Sequence, residues 1–496
     1  MNAPETAGRI SAAFRASGLI PFLLIAWTLW LAAIAASEQV QANDGLGWDG
    51  VRFARYATEG PKALLNREIN DYYVQRMGPS LVVHAVIRGL GLPFDPVTIR
   101  WTFLGMNLVL LTGSIVMLVD LGRRLGLSLH ARWLLFLGFF LNPANGRLPV
   151  YYANIGDSVA FTLGMALLWG WVSRRPWVLV LASMVALVSW PAAFYLLLPL
   201  IVWPRAADRS QAPGNSESVP ALHWGFVVAA LPAGAILLAA SWRAAEMPAP
   251  EWTPWNTASL TTNAWLFGLA LVAAFSRITT TTVKAVFSEW SARSVATALA
   301  LFLLGRFYVA STESGSLAFS EVTYWREVLL YVRTRPLAPL VGHAAYFGAL
   351  AVVACAVWPR ALEAARRLGP GPFVAIALMG LQALDTESRR LNANWPLIGL
   401  CTVLALEPRL RDSRVVAAAA ALCLLFSKLW WRWSGADMFA EAHEPANYYN
   451  LQGPSLSDEA FVAHLVALSI LATLTWLWSR RPPPLRPGDQ EARVVS

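Results

Sequence analysis

Charge is what this chain is short of. Of its 496 residues, 14% are Asp, Glu, Lys or Arg, against about a quarter in an ordinary soluble domain. Cysteine is scarce as well. Cys355, Cys401 and Cys423 are the only three, and all lie inside or beside apolar runs. That excludes a disulfide framework and a thiolate zinc site. The six histidines are scattered without the spacing of metal ligands, and His84 and His343 read as structural. No glycine-rich phosphate loop follows a strand, so a nucleotide-binding α/β domain is excluded. There is no repeat of fixed period, and no inverted pair of Gly/Pro-broken helices of the sort many transporters carry.

What is present is apolar surface. Hydrophobic residues make up 56% of the chain and the mean hydropathy is +0.48. Several runs reach the roughly 20 residues that cross a bilayer, and Trp 24 with 12% aromatics suits a chain with many interfacial anchors. The net charge of +9 does not point to nucleic acid, because the basic residues sit in short clusters between apolar runs. These are Arg9/Arg15, Arg123/Arg124/Arg132, Arg174/Arg175, Arg205/Arg209, Arg277/Lys284/Arg293, Arg360/Arg366/Arg367, Arg409/Arg411/Arg414 and Arg480/Arg481. Acidic residues fall mostly in the alternate loops. The positive-inside bias predicts this pattern for a polytopic membrane protein with basic loops in the cytoplasm.

The expected fold class is therefore all-α, with about 12–14 transmembrane helices and both termini cytoplasmic. The first apolar run, 18–36, has the length of an anchor rather than of a signal peptide. Runs near 133–142 and 177–204 are short and broken by Pro143, Pro191 and Pro199. Three outer loops are long, about 38–97, 313–337 and 429–458, and long loops are usually functional. The first is expected to hold short helices on the membrane surface, since the run 79–93 is apolar yet short for a span. The polar, Pro/Gly/Ser-rich stretch 205–220 reads as a cytoplasmic linker between an N-terminal module, 1–204, and a C-terminal module, 221–480. The tail 481–496 reads as disordered.

The first outer loop carries the leading candidate. Asp49 stands a few residues beyond the first helix, with Gly47 and Gly50 around it. An outward carboxylate at headgroup level can accept a proton from a hydroxyl that attacks a membrane-bound donor. The plainer reading of the residue type is a solvated turn aspartate. Asp44 competes for the same role but lacks the Trp and Gly frame. A second charged group stands in LDTESRRLNANWP, 384–396, where Glu387 can orient Arg389 or Arg390. Arginine suits phosphate because its planar fork gives two parallel hydrogen bonds; the plainer reading is a snorkelling interfacial arginine. Aromatic and basic loops at 251–257, 321–339 and 428–450 read as surface or belt segments.

The run WDGVRFARYATEG, 48–60, resembles the WDxxxFxxxAxxG pattern that follows the first helix in many GT-C-fold glycosyltransferases, among them the glycosylphosphatidylinositol-anchor mannosyltransferases and their bacterial relatives. NDYYVQRMGPSLVVHAVIRGLGL, 70–92, the basic RRLGL turn and FLNPANGRLPVYYANIGDSVAF, 140–161, follow in the same order. The likeness covers roughly the first 200 residues. It implies a sugar taken from a polyprenyl-phosphate donor and passed, with inversion, to a glycan, lipid or protein acceptor outside the plasma membrane. It also implies Asp49 as general base, Asp157 as a second acidic residue and Arg76 as a donor-phosphate ligand beside Arg389 and Arg390. No cofactor follows from the motifs, and a divalent metal is compatible with them but not indicated. One departure stands out. Where many relatives carry a charged triplet, this chain has Ser189, Trp190 and Pro191. Two other readings stay open: a transporter or flippase of a lipid-linked sugar or small solute, and a non-catalytic component of envelope assembly.

Overall fold

The computed structural model describes residues 18–36, 40, 43–65, 71–205, 254–275, 280–312, 328, 332–410, 412–429, 456 and 458–481. The linker stretch 206–220, most of the 313–337 and 429–458 loops, and the tail 482–496 lie outside the described residues. The chain is all-α, with no strand among the described residues.

Proline sets much of the helix pattern. The ring removes a backbone donor that the first turn leaves unpaired anyway, so it is tolerated at helix starts and not inside. Pro176, Pro191 and Pro199 open three successive helices, Pro176–Ser189, Pro191–Leu197 and Pro199–Val202, across a stretch that the hydropathy presents as one broken run. Pro96 opens the longest helix, Pro96–Arg124, whose first turn is capped by Asp95: its carboxylate accepts from Thr98 N–H at 2.9 Å. Ser128 caps Leu129–Phe140 in the same manner. Among the described residues, two helices, Pro96–Arg124 and Asp458–Arg480, are long and apolar enough to cross a membrane; Leu19–Ala35, Leu129–Phe140, Asp157–Val172, Pro176–Ser189 and Ser413–Ser427 are apolar but shorter. The segment after Leu19–Ala35 does form short helices, Trp48–Glu59, Pro61–Leu65, Asp71–Val74 and Gly78–Gly89.

Asp157–Val172 lies at the centre. It packs against Pro96–Arg124, Pro176–Ser189 and Trp395–Leu406. Trp395–Leu406 also rests on Leu129–Phe140 and Trp358–Leu368. Contact is close enough that a side chain at Gly164 would strike the backbone carbonyl of Ala393. Leu19–Ala35 docks through Phe22, whose ring stacks on Phe136 at 4.4 Å.

Between Leu129–Phe140 and Asp157–Val172 the backbone is irregular yet buried, and its polar groups need partners. Asparagines supply them. Asn107, on the long helix, donates to the Ala153 carbonyl at 2.9 Å. Asn142 caps a π-helical turn, Pro143–Arg147, and Asn145 donates back to the Phe139 carbonyl at 2.9 Å. Trp30 Nε1 closes the set on the Asn145 carbonyl at 3.0 Å.

Among the described residues, two basic groups meet at one end of this bundle, where the turn after Arg124 touches the Glu407–Arg409 turn through Ser128 N–H donating to Glu407. Arg124 and Arg174 are close enough to act electrostatically on Arg205, and Arg409 and Arg480 on Arg360. Asp157 stands at the other end of its helix from Arg174 and Arg175, about 24 Å away at the helical rise of 1.5 Å per residue. Along Asp458–Arg480, Val462, Val466, Ile470, Leu474 and Leu477 are all exposed and form one apolar stripe at helical spacing.

Candidate functional site

The other end of the bundle collects the candidate residues. Asp49 stands in the first turn of Trp48–Glu59, where the helix dipole favours a carboxylate. Its placement depends on Gly47. That residue has φ 70 and ψ −159, a region essentially open only to glycine, and a Cβ there would drive into the Tyr152 ring. Gly50 is hemmed in by Tyr152 and Asn154, both 3.1 Å from where its Cβ would stand, and its N–H donates to Tyr152 Oη at 3.1 Å. The two glycines thus let the first turn of the helix lie directly on the irregular 152–156 backbone.

Arg389 comes to Asp49 from the far half of the chain. Its Nη2 lies 3.7 Å from Asp49 Oδ2, and Tyr73 Oη donates to Asp49 Oδ1 at 3.1 Å. Arg389 is buried, whereas a third of the Asp49 side chain is exposed. The arginine sits on a short 3-10 turn, Ser388–Leu391, which the surrounding side chains hold rigidly. His343 accepts from or donates to Ser388 Oγ at 2.9 Å and reaches the Ala383 carbonyl at 2.9 Å, so His343 is a brace. Because a carbonyl only accepts, Nε2 carries the imidazole proton and Nδ1 takes the serine hydrogen. Asp385 accepts from Glu387 N–H at 2.9 Å and from Arg390 Nη1 at 3.0 Å.

Glu387 lies between the two guanidiniums, 3.4 Å from Arg389 Nε and 2.6 Å from Arg390 Nη2. Burial works to raise its carboxyl, but Arg389, Arg390 and Arg76 outweigh that and hold it below the ordinary carboxylate value. Glu387 is therefore a carboxylate. Arg390, gripped by two acids, locks the turn, while Arg389 reaches Asp49.

Asp157 opens the central helix and is buried. Tyr346 Oη donates to its Oδ1 at 2.8 Å, and Asn392 donates to its backbone carbonyl at 2.8 Å. Its Oδ2 has no hydrogen-bond partner among the described residues. Arg389 and Arg76 both act electrostatically on it. Arg76 lies with its guanidinium over the Trp190 ring, 4.5 Å from the centroid, within the range of a cation–π contact. At Ser189–Trp190–Pro191 an aromatic face thus holds a cation.

The structure therefore brings Asp49, Asp157, Arg76, Arg389, Arg390 and Glu387 into one cluster. Asp44 is set apart. It is exposed in the turn that precedes the helix, with φ 55, and no contact joins it to the arginines among the described residues. Sequence reasoning passed over Tyr73, Tyr346, Asp385 and Asn154. Tyr73 lay within the quoted 70–92 run and Asp385 beside Glu387, so proximity was a usable signal for both. Tyr346 sits in an apolar helix, Ala338–Phe347, where nothing marked it.

Beside Arg76 opens a narrow cleft lined by Phe53, Pro79, Phe103, Asn154, Ser189 and Trp190. It lies against the same helix turn that carries Asp49. Comparison with known proteins finds no matching family model, no matching curated protein and no matching solved structure.

Proposed function

We propose that this chain is an integral membrane glycosyltransferase of the GT-C type. It moves a sugar from a polyprenyl-phosphate donor to an extracytoplasmic acceptor, with inversion. Asp49 takes the proton of the acceptor hydroxyl as its oxygen attacks the anomeric carbon. The bond from that carbon to the phosphate oxygen breaks, and the electron pair leaves with the phosphate. Arg389 and Arg76 stabilise the charge that develops there. Asp157 orients the acceptor, and Arg390 and Glu387 fix the Arg389 turn.

The observation that carries the reading is the Asp49–Arg389 pair, 3.7 Å apart. A base and a phosphate-binding cation have to stand near one reacting centre, and the approach of Arg389 to Asp49 from opposite halves of the chain supports that reading. The membrane part of the reading rests on two further features. The exposed stripe Val462, Val466, Ile470, Leu474 and Leu477 is the kind of surface that water leaves unstable and lipid accepts. The separation of basic clusters from the Asp49 cluster fits basic residues on the cytoplasmic side and chemistry on the outer side. The 12–14 crossings belong to this proposal, as does the inner-membrane location.

The test is transfer from defined polyprenyl-phosphate sugars by purified protein, wild type against Asp49→Asn. General-base catalysis is worth about 10²–10⁴-fold, so a loss of at least about 100-fold is expected with the fold intact. Equal rates in the two proteins would exclude Asp49 as the base.

A further inference from the structure

Three arginines from three separate elements converge at the basic end of the bundle. Arg360 stands third in Trp358–Leu368, Arg409 closes the Glu407–Arg409 turn and Arg480 ends Asp458–Arg480. Arg409 and Arg480 both lie close enough to act electrostatically on Arg360, and Arg409 Nη2 donates to the Arg481 carbonyl at 3.3 Å. Among the described residues no carboxylate forms an ion pair with any of the three. The acids on the same elements are engaged or distant. Glu363 binds Arg366 at 2.6 Å and Arg367 at 3.1 Å, and Glu407 accepts from Ser128 N–H at 2.8 Å. Asp412 caps Ser413–Ser427, and Asp458 and Glu459 stand at the opposite end of their helix. The neighbouring basic group differs in this respect, since Asp120 binds Arg124 at 2.6 Å.

Arginines that only mark the cytoplasmic side can spread apart into water. These three meet instead, and Arg360 does so in the first turn of its helix, where the dipole disfavours a cation. A concentration of one sign of charge draws an anion to it, and the arginine fork suits the oxygens of a phosphate. The site is open to a ligand: Arg480 is exposed, and Arg360 and Arg409 are half-buried. Its surroundings say what carries the phosphate. The exposed apolar stripe of Asp458–Arg480 ends in Leu474 and Leu477. Arg480 and the exposed Arg481 follow Leu477 by three and four residues, the spacing that keeps them beside it on the helix surface. The Arg480 guanidinium lies 3.8 Å from the centroid of the exposed Trp476 ring. An apolar stripe that runs into a group of cations is the complement of a lipid with an anionic headgroup. A soluble anion would use the arginines and leave the stripe unused.

We propose that Arg360, Arg409 and Arg480 form a site for the phosphate headgroup of an anionic phospholipid, with an acyl chain lying along Leu477 and Leu474. The inference rests on the membrane part of the reading above and not on sugar transfer. The headgroup touches three elements that are distant in sequence, so the bound lipid ties the last helix to the rest of the bundle.

Full-length protein in detergent is titrated with phosphatidylglycerol and with phosphatidylcholine of the same acyl chains, and bound lipid is counted by native mass spectrometry. The first phosphatidylglycerol should bind at least about tenfold more tightly than phosphatidylcholine, the worth of one charge-assisted hydrogen bond. Arg360→Gln and Arg480→Gln should each reduce that preference to within about threefold. Arg480 is exposed, so its variant serves should Arg360→Gln fail to fold. Arg293, exposed on Ala292–Thr312, is the control: Arg293→Gln loses the same charge and should keep the full preference. Equal binding of the two lipids by the wild type overturns the site, and so does a loss in Arg293→Gln as large as in Arg480→Gln. Glycerol 1-phosphate, the headgroup without its chains, should not displace the lipid at equal concentration; displacement would make this a site for soluble phosphate and overturn the lipid. Lipid preference without sugar transfer would keep the site and sink the transferase, and transfer without the preference would do the reverse.

Discussion

Glu387 shows how a buried acid stays charged. Two arginines within 3.4 Å and Arg76 nearby overcome its desolvation, and its carboxyl lies below the ordinary value of 4.5. A group depressed on folding adds stability above its unfolded pKa and loses it as pH falls through the folded value. Thermal unfolding followed downward from pH 6 should therefore show a falling midpoint once pH drops below about 4.5, and Glu387→Gln should flatten that limb. A midpoint that falls equally in both proteins would place the titrating acid elsewhere. Tyr73 acts at the same scale. Its hydroxyl donates to Asp49 at 3.1 Å and so fixes the orientation of that carboxylate. Tyr73→Phe removes one hydrogen bond and no ring packing, so under the proposed reaction the transfer rate should drop by up to about tenfold, with a loss of stability no greater than the roughly 1.5–3 kcal/mol of a hydrogen bond to a charged group.

At the scale of elements, the site depends on how closely the central helix approaches the 388–394 turn. Gly164 makes that approach possible: its missing side chain leaves room for the Ala393 carbonyl, and a backbone atom cannot swing aside. Gly164→Ala should destabilise the protein by about 1–3 kcal/mol, as overpacked contacts do, and should weaken the Asp157–Asn392 link that joins helix to turn. Gly105, on Pro96–Arg124, has nothing within 4 Å of its Cβ position. Gly105→Ala should be neutral, or stabilising by up to about 1 kcal/mol through helix propensity. Thermal unfolding of the two variants side by side checks both outcomes, and equal shifts would refute the packing argument.

For the whole molecule, the environment decides what counts as inside. The stripe on Asp458–Arg480 is exposed protein surface, and its residues are those that lipid solvates well. Ile470→Lys puts a charge in the middle of that stripe, at a cost of about 2.5–3.5 kcal/mol in a membrane-centred helix. The recovered yield of membrane-inserted protein should fall, while Ile470→Leu leaves it unchanged. Unaltered recovery of the lysine variant after an alkaline wash would argue against lipid at that face.

Composition and hydropathy were enough to announce the helices without strands seen among the described residues, because long apolar runs broken by few charges keep their backbone groups paired most simply within one segment. Asp49, Asp157 and Arg76 were singled out by resemblance to the GT-C pattern rather than by residue type alone, while the 387–390 group stood out as charge at the edge of an apolar run. What the linear order withheld was pairing. Nothing local says that Arg389 faces Asp49 while Arg390 is spent on Asp385 and Glu387, because adjacent residues in a tight turn point in different directions. Nor does it reveal that Trp190, read as a lost charge, holds Arg76 by its ring. Residue types set which elements form and where charge can sit; the packing of the central helix, through contacts as short as Gly164 against Ala393, alone decided which of those charges meet.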